Sequence, residues 1–166
     1  MSYENPIWRI DDRLIHGQVI IGWCGQLPID QLMVLDDEIA VTDWEKNLML
    51  MAAPPGLPTL ILQTSEISSF LKQLDDKSKL TLVLFKSPQT IQTLIKQNVK
   101  FSKINIGGIH FHEDRVEFLP YLYLSKEEVQ IFKALMEKGI YFECQDLPTS
   151  PAYDLKKVID KKKIWK

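Results

Sequence analysis

Between Leu80 and Phe85 the chain reads Leu-Thr-Leu-Val-Leu-Phe. A run this short has the length of a strand, and one that is apolar on both alternating faces must be covered on both. That is the condition of a central strand in a parallel sheet, whose crossover connections lie over the sheet. The theme recurs along the chain. β-Branched or Leu-rich runs at Ile7–Ile10, Gln31–Leu35, Thr59–Gln63, Leu80–Phe85, Lys103–Ile106, Tyr121–Leu124 and Ile140–Cys144 alternate with helical segments. Such alternation predicts an α/β sheet built from right-handed crossovers.

The helical segments carry their own start and stop chemistry. Thr42 with Glu45 and Ser125 with Glu128 have the spacing of capping boxes, and Ser87-Pro88 reads as an N-cap followed by Pro at the first helical position. Gly139 suits a left-handed helix end before the strand at Ile140, and Pro54-Pro55-Gly56 ends the helix begun at Thr42. No linker, repeat or shift of composition divides the chain, so residues 1–166 are read as one domain. At 166 residues such a domain buries roughly 70% of its unfolded surface.

Charge narrows the partners. With 20 Lys and Arg against 22 Asp and Glu there is no global positive field, and nucleic acid is not expected to bind. The C-terminal lysines, from Lys156 to Lys166, read as a solvated helix face or as a docking patch for an acidic partner. Cys24 and Cys144 are far apart and outside any C-x-x-C pattern; both are expected to be reduced, buried thiols. The N-terminal residues lack the basic region and apolar core of a signal peptide, and no apolar run approaches the ~20 residues that span a bilayer. A cytoplasmic protein that does not itself cross a membrane is expected.

In an open α/β sheet, ligands bind outside the carboxyl ends of the strands. The loop after the first strand is the richest such place: Arg9-Ile10-Asp11-Asp12-Arg13-Leu14-Ile15-His16-Gly17-Gln18-Val19 sets two carboxylates, a guanidinium and an imidazole between a strand end and a helix start. Moving a phosphoryl group onto imidazole needs a neutral ring nitrogen, a cation for the oxygens and amide donors aimed at the developing charge. His16 supplies the first, Arg13 the second, and the free amides of a helix beginning near Gly17 the third. Gly17 leaves room for a phosphate against the backbone, and Asp11 or Asp12 can hold the imidazole in one tautomer. The plainer reading of His16 is a hydrogen-bonded structural residue or a helix cap. A metal site of Asp11, Asp12 and His16 is disfavoured by the neighbouring charge of Arg13.

This stretch, with Trp23 four residues on, resembles the hallmark segment of the IIB subunits of mannose/fructose/sorbose-type sugar phosphotransferase systems (PTS). Asp36-Asp37-Glu38, Ala53-Pro54-Pro55-Gly56, Asn105-Ile106-Gly107-Gly108 and Leu124-Ser125-Lys126-Glu127-Glu128 extend the resemblance over nearly the whole length. It implies the sorbose-type IIB fold, an open, mostly parallel sheet of about seven strands with helices on both faces. It also implies that His16 is the phosphoacceptor, through Nδ1, with Asp11 and Arg13 flanking the phosphate. The phosphodonor would be a separate IIA protein, and the acceptor a sugar taken up by membrane subunits IIC and IID; no cofactor or metal is called for. Two places depart from the pattern. Trp8 stands where a small residue is usual and is expected to reshape the pocket wall; the segment from Ile109 to Tyr121 is unlike that of sugar-transport members and bears on the downstream acceptor.

Other signals have two readings each. Gly107 and Gly108 either present amides to the phosphate or merely turn the chain. His110 and His112 can be offered to zinc, but no third ligand is evident, and loop histidines are the plainer reading. Asp36-Asp37 lies near the pocket mouth without a catalytic role being assigned. A nucleotide- or small-ligand-binding regulatory module on a Rossmann-like sheet is the alternative from another class, although neither G-x-G-x-x-G nor G-x-x-x-x-G-K-[ST] occurs. A third reading keeps the phosphohistidine and replaces transport by phosphorylation-responsive regulation.

Overall fold

The computed structural model describes residues 3–73 and 79–165. Strand β1 (Ile7–Asp11) leads into a π-helical turn (Gln18–Cys24), then β2 (Ile29–Leu35), helices α1 (Asp37–Val41) and α2 (Asp43–Ala52), and β3 (Thr59–Leu62). Next come α3 (Ile67–Gln73), β4 (Leu80–Phe85), α4 (Pro88–Lys96) and β5 (Lys103–Gly108). A hairpin of β6 (Arg115–Leu119) and β7 (Leu122–Ser125) precedes α5 (Lys126–Glu137), β8 (Tyr141–Cys144), β9 (Tyr153–Asp154) and α6 (Leu155–Lys162).

Seven strands form one sheet in the order β3-β2-β4-β1-β5-β8-β9. The pairings from β3 to β8 are parallel, and β9 adds antiparallel to β8. Side chains of β4 alternate between two apolar layers: Leu82 and Leu84 pack with Val19, Trp23 and Ile39 on one face, Val83 and Phe85 with Ile91, Phe132 and Leu135 on the other. Double-sided burial is what its sequence demanded. β1 lies at the centre of the sheet and is buried along its whole length. Connections depart from it to β2 on one side, while β5 is added on the other, so its carboxyl end sits where the strand order reverses.

Several expectations need correction. The run at Tyr121–Leu124 is a strand over Leu122–Ser125, but it pairs antiparallel with β6 outside the main sheet. The seventh strand of the main sheet is instead β9, whose two residues are too short for any periodic pattern. Gly107 and Gly108 do not turn the chain after β5; they are its last residues. Trp8 does not shape the wall beside Asp11. As a strand neighbour of Arg9 it faces the opposite layer, packing edge-on against Phe101 at 4.9 Å and tilted on Phe85.

Caps divide in the same way. Ser125 and Glu128 form the expected reciprocal box. Thr42 stands at the start of α2 without a side-chain cap, because its hydroxyl donates to the Glu38 carbonyl of the preceding helix at 2.9 Å. Asp36 caps α1 through the amides of Glu38 and Ile39, and Asp37 accepts from Thr64, so both acidic residues have structural partners. Gly139 takes positive φ just past the end of α5, and Gly56 takes it in the turn that follows α2, whose own end is the extended Ala53. The lysines of α6 at 156, 157, 161 and 162 are exposed, as on a solvated face. Ser125→Ala is expected to lower stability by about 1 kcal/mol, whereas Thr42→Ala should change it by only about half that or less. Urea unfolding midpoints of the two variants, at unchanged m-value, would check the ranking.

Candidate functional site

Arg9 is the unexpected centre of the site. A guanidinium in a central strand must find partners, since an unpaired buried charge is not tolerated. It is 0% exposed. Its Nη1 donates to Asn105 Oδ1 and to the Gln145 carbonyl (2.9 Å), and its Nη2 to the Asp146 carbonyl (2.9 Å) and to Asp11 Oδ2 (3.3 Å). Trp23 lies under it, with Cζ 4.5 Å from the ring centroid, and the Trp23 indole N–H donates to the same Asp146 carbonyl. Burial lowers the Arg9 pKa to about 10, with the Asp11 charge opposing that shift, so it remains a cation at neutral pH.

Asp11, two residues on and on the same face, is also 0% exposed. Its Oδ2 meets Arg9 and, at 3.0 Å, His16 Nε2; its Oδ1 accepts from the Arg13 amide (3.2 Å) and from Arg13 Nε (3.3 Å). Burial pushes this carboxyl up, but the His16 hydrogen bond and the Arg9 and Arg13 charges outweigh it and hold the group below the ordinary carboxylate range. An ionised carboxylate can only accept, so the Nε2 that faces it carries the imidazole proton. The lone pair then resides on Nδ1, toward which the Gln18 amide points at 3.3 Å. The His16 ring is 16% exposed and Arg13 is 36% exposed, so the imidazole and the cation both reach the surface.

The loop between them is tightly wound. Leu14 adopts a left-handed backbone (φ 57°) that costs a non-glycine residue energy, and it is held by its buried side chain and by its amide on the Asp11 carbonyl at 2.9 Å. The helix expected to begin near Gly17 does so, with π-helical geometry over Gln18–Cys24. A Cβ on Gly17 would meet nothing within 4 Å, so the backbone there is open to an approaching group.

The two glycines at the end of β5 have different reasons. A Cβ on Gly107 would lie 1.7 Å from Arg9 Nη2, so this residue must be bare to admit the guanidinium. A Cβ on Gly108 would lie 3.3 Å from Arg13 Nη2 and 3.5 Å from both Asp11 Oδ1 and His110 Cε1. Gly108 therefore floors the space among the charged side chains, whereas Gly107 serves Arg9. Asp12 turns away from Asp11: it accepts from the His110 amide at 2.8 Å and meets the His110 ring, with Arg115 at 3.9 Å. His112 pairs with Asp114, and among the described residues no three His, Cys, Asp or Glu side chains are placed to hold a metal ion.

A family model described as the PTS system sorbose subfamily IIB component matches residues 6–166. The chain belongs to this IIB family. Similar curated proteins include the N-acetylgalactosamine-specific phosphotransferase enzyme IIB component 2 of Escherichia coli K12, 30% identical over 91% of this chain and 96% of that protein. The fructose-specific EIIB component of Bacillus subtilis is 27% identical over 91% of this IIB and 93% of its own length. The alignment spans only 47% of the E. coli mannose-specific EIIAB component, with 28% identity. Among solved structures, manxB from Thermoanaerobacter tengcongensis superposes with a TM-score of 0.81 at 30% identity, covering 98% of each chain. The IIBSor domain of the Klebsiella pneumoniae sorbose permease superposes at 0.86 with 23% identity, covering 98% of this chain and 99% of that one. The mostly parallel seven-stranded sheet is thus the fold of IIB components, and no helix among the described residues is long and apolar enough to cross a membrane.

Two outcomes follow from the buried cluster. Gly107→Ala should destabilise this IIB by more than about 2 kcal/mol, because the added methyl must displace a fully buried guanidinium; thermal unfolding against Gly17→Ala as an open-space control would measure it. The Asp11 pKa is lower in the folded chain than the roughly 3.9 of an unfolded aspartate. Its ionisation therefore stabilises the fold above that pH, and the stabilisation is lost as pH falls below about 4 toward the folded value. Asp11→Asn should show a shallower acid limb in denaturant-unfolding free energy plotted against pH.

Proposed function

We propose that this IIB is a phosphocarrier: His16 accepts a phosphoryl group from a phosphorylated IIA protein and passes it to a sugar taken up through IIC and IID membrane subunits. The activity is that of a protein-N(pi)-phosphohistidine–sugar phosphotransferase. The observation that carries the reading is the Asp11–His16 contact, in which a buried carboxylate accepts the hydrogen bond of Nε2–H and leaves the ring's lone pair on Nδ1. In the transfer, the Nδ1 lone pair attacks phosphorus in line with the donor histidine, the donor N–P bond breaks, and its electron pair returns to the donor imidazole. The proton on Nε2 stays with Asp11's hydrogen bond, so the imidazolium that results is paired with a carboxylate.

Arg13 sits beside the same space, its Nε on Asp11 and its Nη2 donating to Gln18 Oε1 at 2.8 Å. In the proposed transfer it turns from Gln18 to the phosphoryl oxygens, and the Gln18 amide, released from the Nδ1 lone pair, joins it. Gly17 leaves its backbone open to an approaching group, and Gly108 floors the space among Arg13, Asp11 and His110. Gly107, assigned with them to phosphate from its position in sequence, is accounted for by Arg9 and needs no contact with the ligand.

Incubation with a phosphorylated IIA is expected to give an acid-labile, alkali-stable label on the chain, absent in His16→Ala; a label retained in that variant excludes the assignment. Arg13→Ala should slow transfer by roughly a hundredfold or more with stability changed by less than about 0.5 kcal/mol, because an exposed loop cation packs no core. Single-turnover transfer rates alongside unfolding curves would read both numbers.

A further inference from the structure

A helix that is apolar on most of its surface is ordinarily a buried one. Helix α2 is not: six of its ten residues are Trp, Leu, Met or Ala, and none of the ten is buried. Met49 packs partly on the core, while Trp44, Leu48 and Met51 are 68%, 61% and 83% exposed. With Asn47 these three fall at i, i+3, i+4 and i+7, which is one face of a helix and the spacing of helical anchors in a groove. Apolar surface gathered in this way marks an interaction site. A groove of about 340 Å³ runs along the Leu48 edge of the face. Ile15, Ile39, Leu48 and Ala52 line it, together with Glu38 and Glu45.

We propose that this face pairs with the same face of a second copy of the chain, the two α2 helices lying antiparallel about a two-fold axis between Asn47 and Leu48. A two-fold interface must be complementary to itself, and the order of residues in α2 is so about that point. Trp44 falls opposite the partner's Met51, and Met51 opposite the partner's Trp44. Thioether against indole is a favourable contact, and here it is made twice. No acid meets an acid, because Asp43 falls opposite the partner's Ala52 and Glu45 opposite the partner's Leu50. The groove, on the Leu48 and Ala52 side, then lies where the partner's Trp44 arrives. An indole is an apolar ring with a single N–H donor, and this groove is apolar with carboxylates to accept from it. An aromatic anchor seated in a pocket concentrates the binding energy of a small interface. The exposed parts of Trp44, Leu48, Leu50 and Met51 with the groove walls offer on the order of 600 Å² per copy. That is below the ~800 Å² per partner of a standard stable complex, so the dimer is weak and depends on concentration. A net charge of −2 per chain opposes it little. Ile15 in the groove directly precedes His16, so the pair borders the loop proposed to carry phosphate; association itself does not rest on that role.

The test is sedimentation velocity of the full chain between roughly 10 and 500 µM, where the expected result is a shift from monomer to dimer with a Kd on the order of 100 µM. Trp44→Glu and Met51→Glu change exposed side chains and leave the fold intact. Each should weaken association by roughly tenfold or more. Packed helices 8–10 Å apart bring their Cα atoms at the crossing within the ~4.4–6.8 Å of a disulfide. Asn47→Cys, next to the axis, should therefore cross-link two chains in oxidised glutathione roughly tenfold faster than Asp160→Cys, an exposed position on α6. The proposal is overturned if the chain stays monomeric throughout, if either glutamate variant associates as the parent does, or if Asn47→Cys cross-links no faster than Asp160→Cys. A monomer whose Trp44 face takes up a different protein overturns it equally. His16→Ala should associate like the parent chain, so failure of the dimer and failure of the phosphoryl assignment are read separately.

Discussion

A guanidinium in the middle of the central strand is the constraint to which the rest of this molecule answers. Removing Arg9 from water carries a desolvation cost that its ion pair with Asp11 alone does not guarantee to offset. The fold meets that cost with a set of fixed acceptors: Asn105 on the neighbouring strand and the carbonyls of Gln145 and Asp146 beyond β8, with the Trp23 face beneath. Gly107 is bare so that the group can lie there, and the carbonyls require the chain after β8 to curl back over the sheet. Four segments far apart in sequence are thereby tied to one cation. What the arrangement secures is direction: with Arg9 immobile, Asp11 has one orientation, and the imidazole that donates to Asp11 has one tautomer.

Adjacent carboxylates then do opposite jobs, because neighbouring positions at a strand end point apart. Asp11 turns inward to Arg9, Arg13 and His16. Asp12 turns outward and takes hold of His110, whose carbonyl in turn accepts from Arg115 at 2.8 Å. Arg115 forks onto Glu128 at 2.8 and 3.0 Å, and Glu128 closes the capping box of α5 with Ser125. The segment from Ile109 to Tyr121 is therefore joined to the His16 loop by side-chain contacts. The hairpin thus contacts the loop at Asp12, and the chain after β8 contacts Arg9, which pairs with Asp11.

How much of this could be read in advance follows the range of each signal. The run at Leu80–Phe85 announced a doubly covered strand because burial on both faces is written residue by residue. The Asp11–Gly17 loop was legible because an imidazole, a guanidinium and carboxylates lie within seven residues. Strand membership was not: the alternation at Leu122–Ser125 specifies a strand without naming its partner, and β9 is too short to alternate at all. Thr42 was misread because an acceptor four residues back, the Glu38 carbonyl, competes for the hydroxyl that a capping box would use. Arg9 carried a signal that went unused. A charge within Ile-Trp-Arg-Ile can be buried only if partners surround it, and apart from Asp11 and Trp23 those partners are 96 residues or more away, where no local pattern reaches.

For the proposed carrier role, the shallowness of the site matters as much as its chemistry. A group that must be accepted from one protein and surrendered to another cannot be held as tightly as a transition state. Donors sealed in a low-dielectric pocket would bind a phosphoryl group strongly, since charge interactions grow as water is excluded. Here the strong, dry electrostatics are spent one step behind the reacting atom, between Arg9 and Asp11. At the surface stand only a part-exposed imidazole, a part-exposed guanidinium and one backbone amide, all screened by solvent. In that proposed role the buried pair would fix which nitrogen reacts, and the exposed groups would hold the reacting group only loosely. Selectivity of position and ease of release are thus assigned to different layers of the same loop, and a docking partner that excludes water from the outer layer would strengthen it only while the two proteins are together.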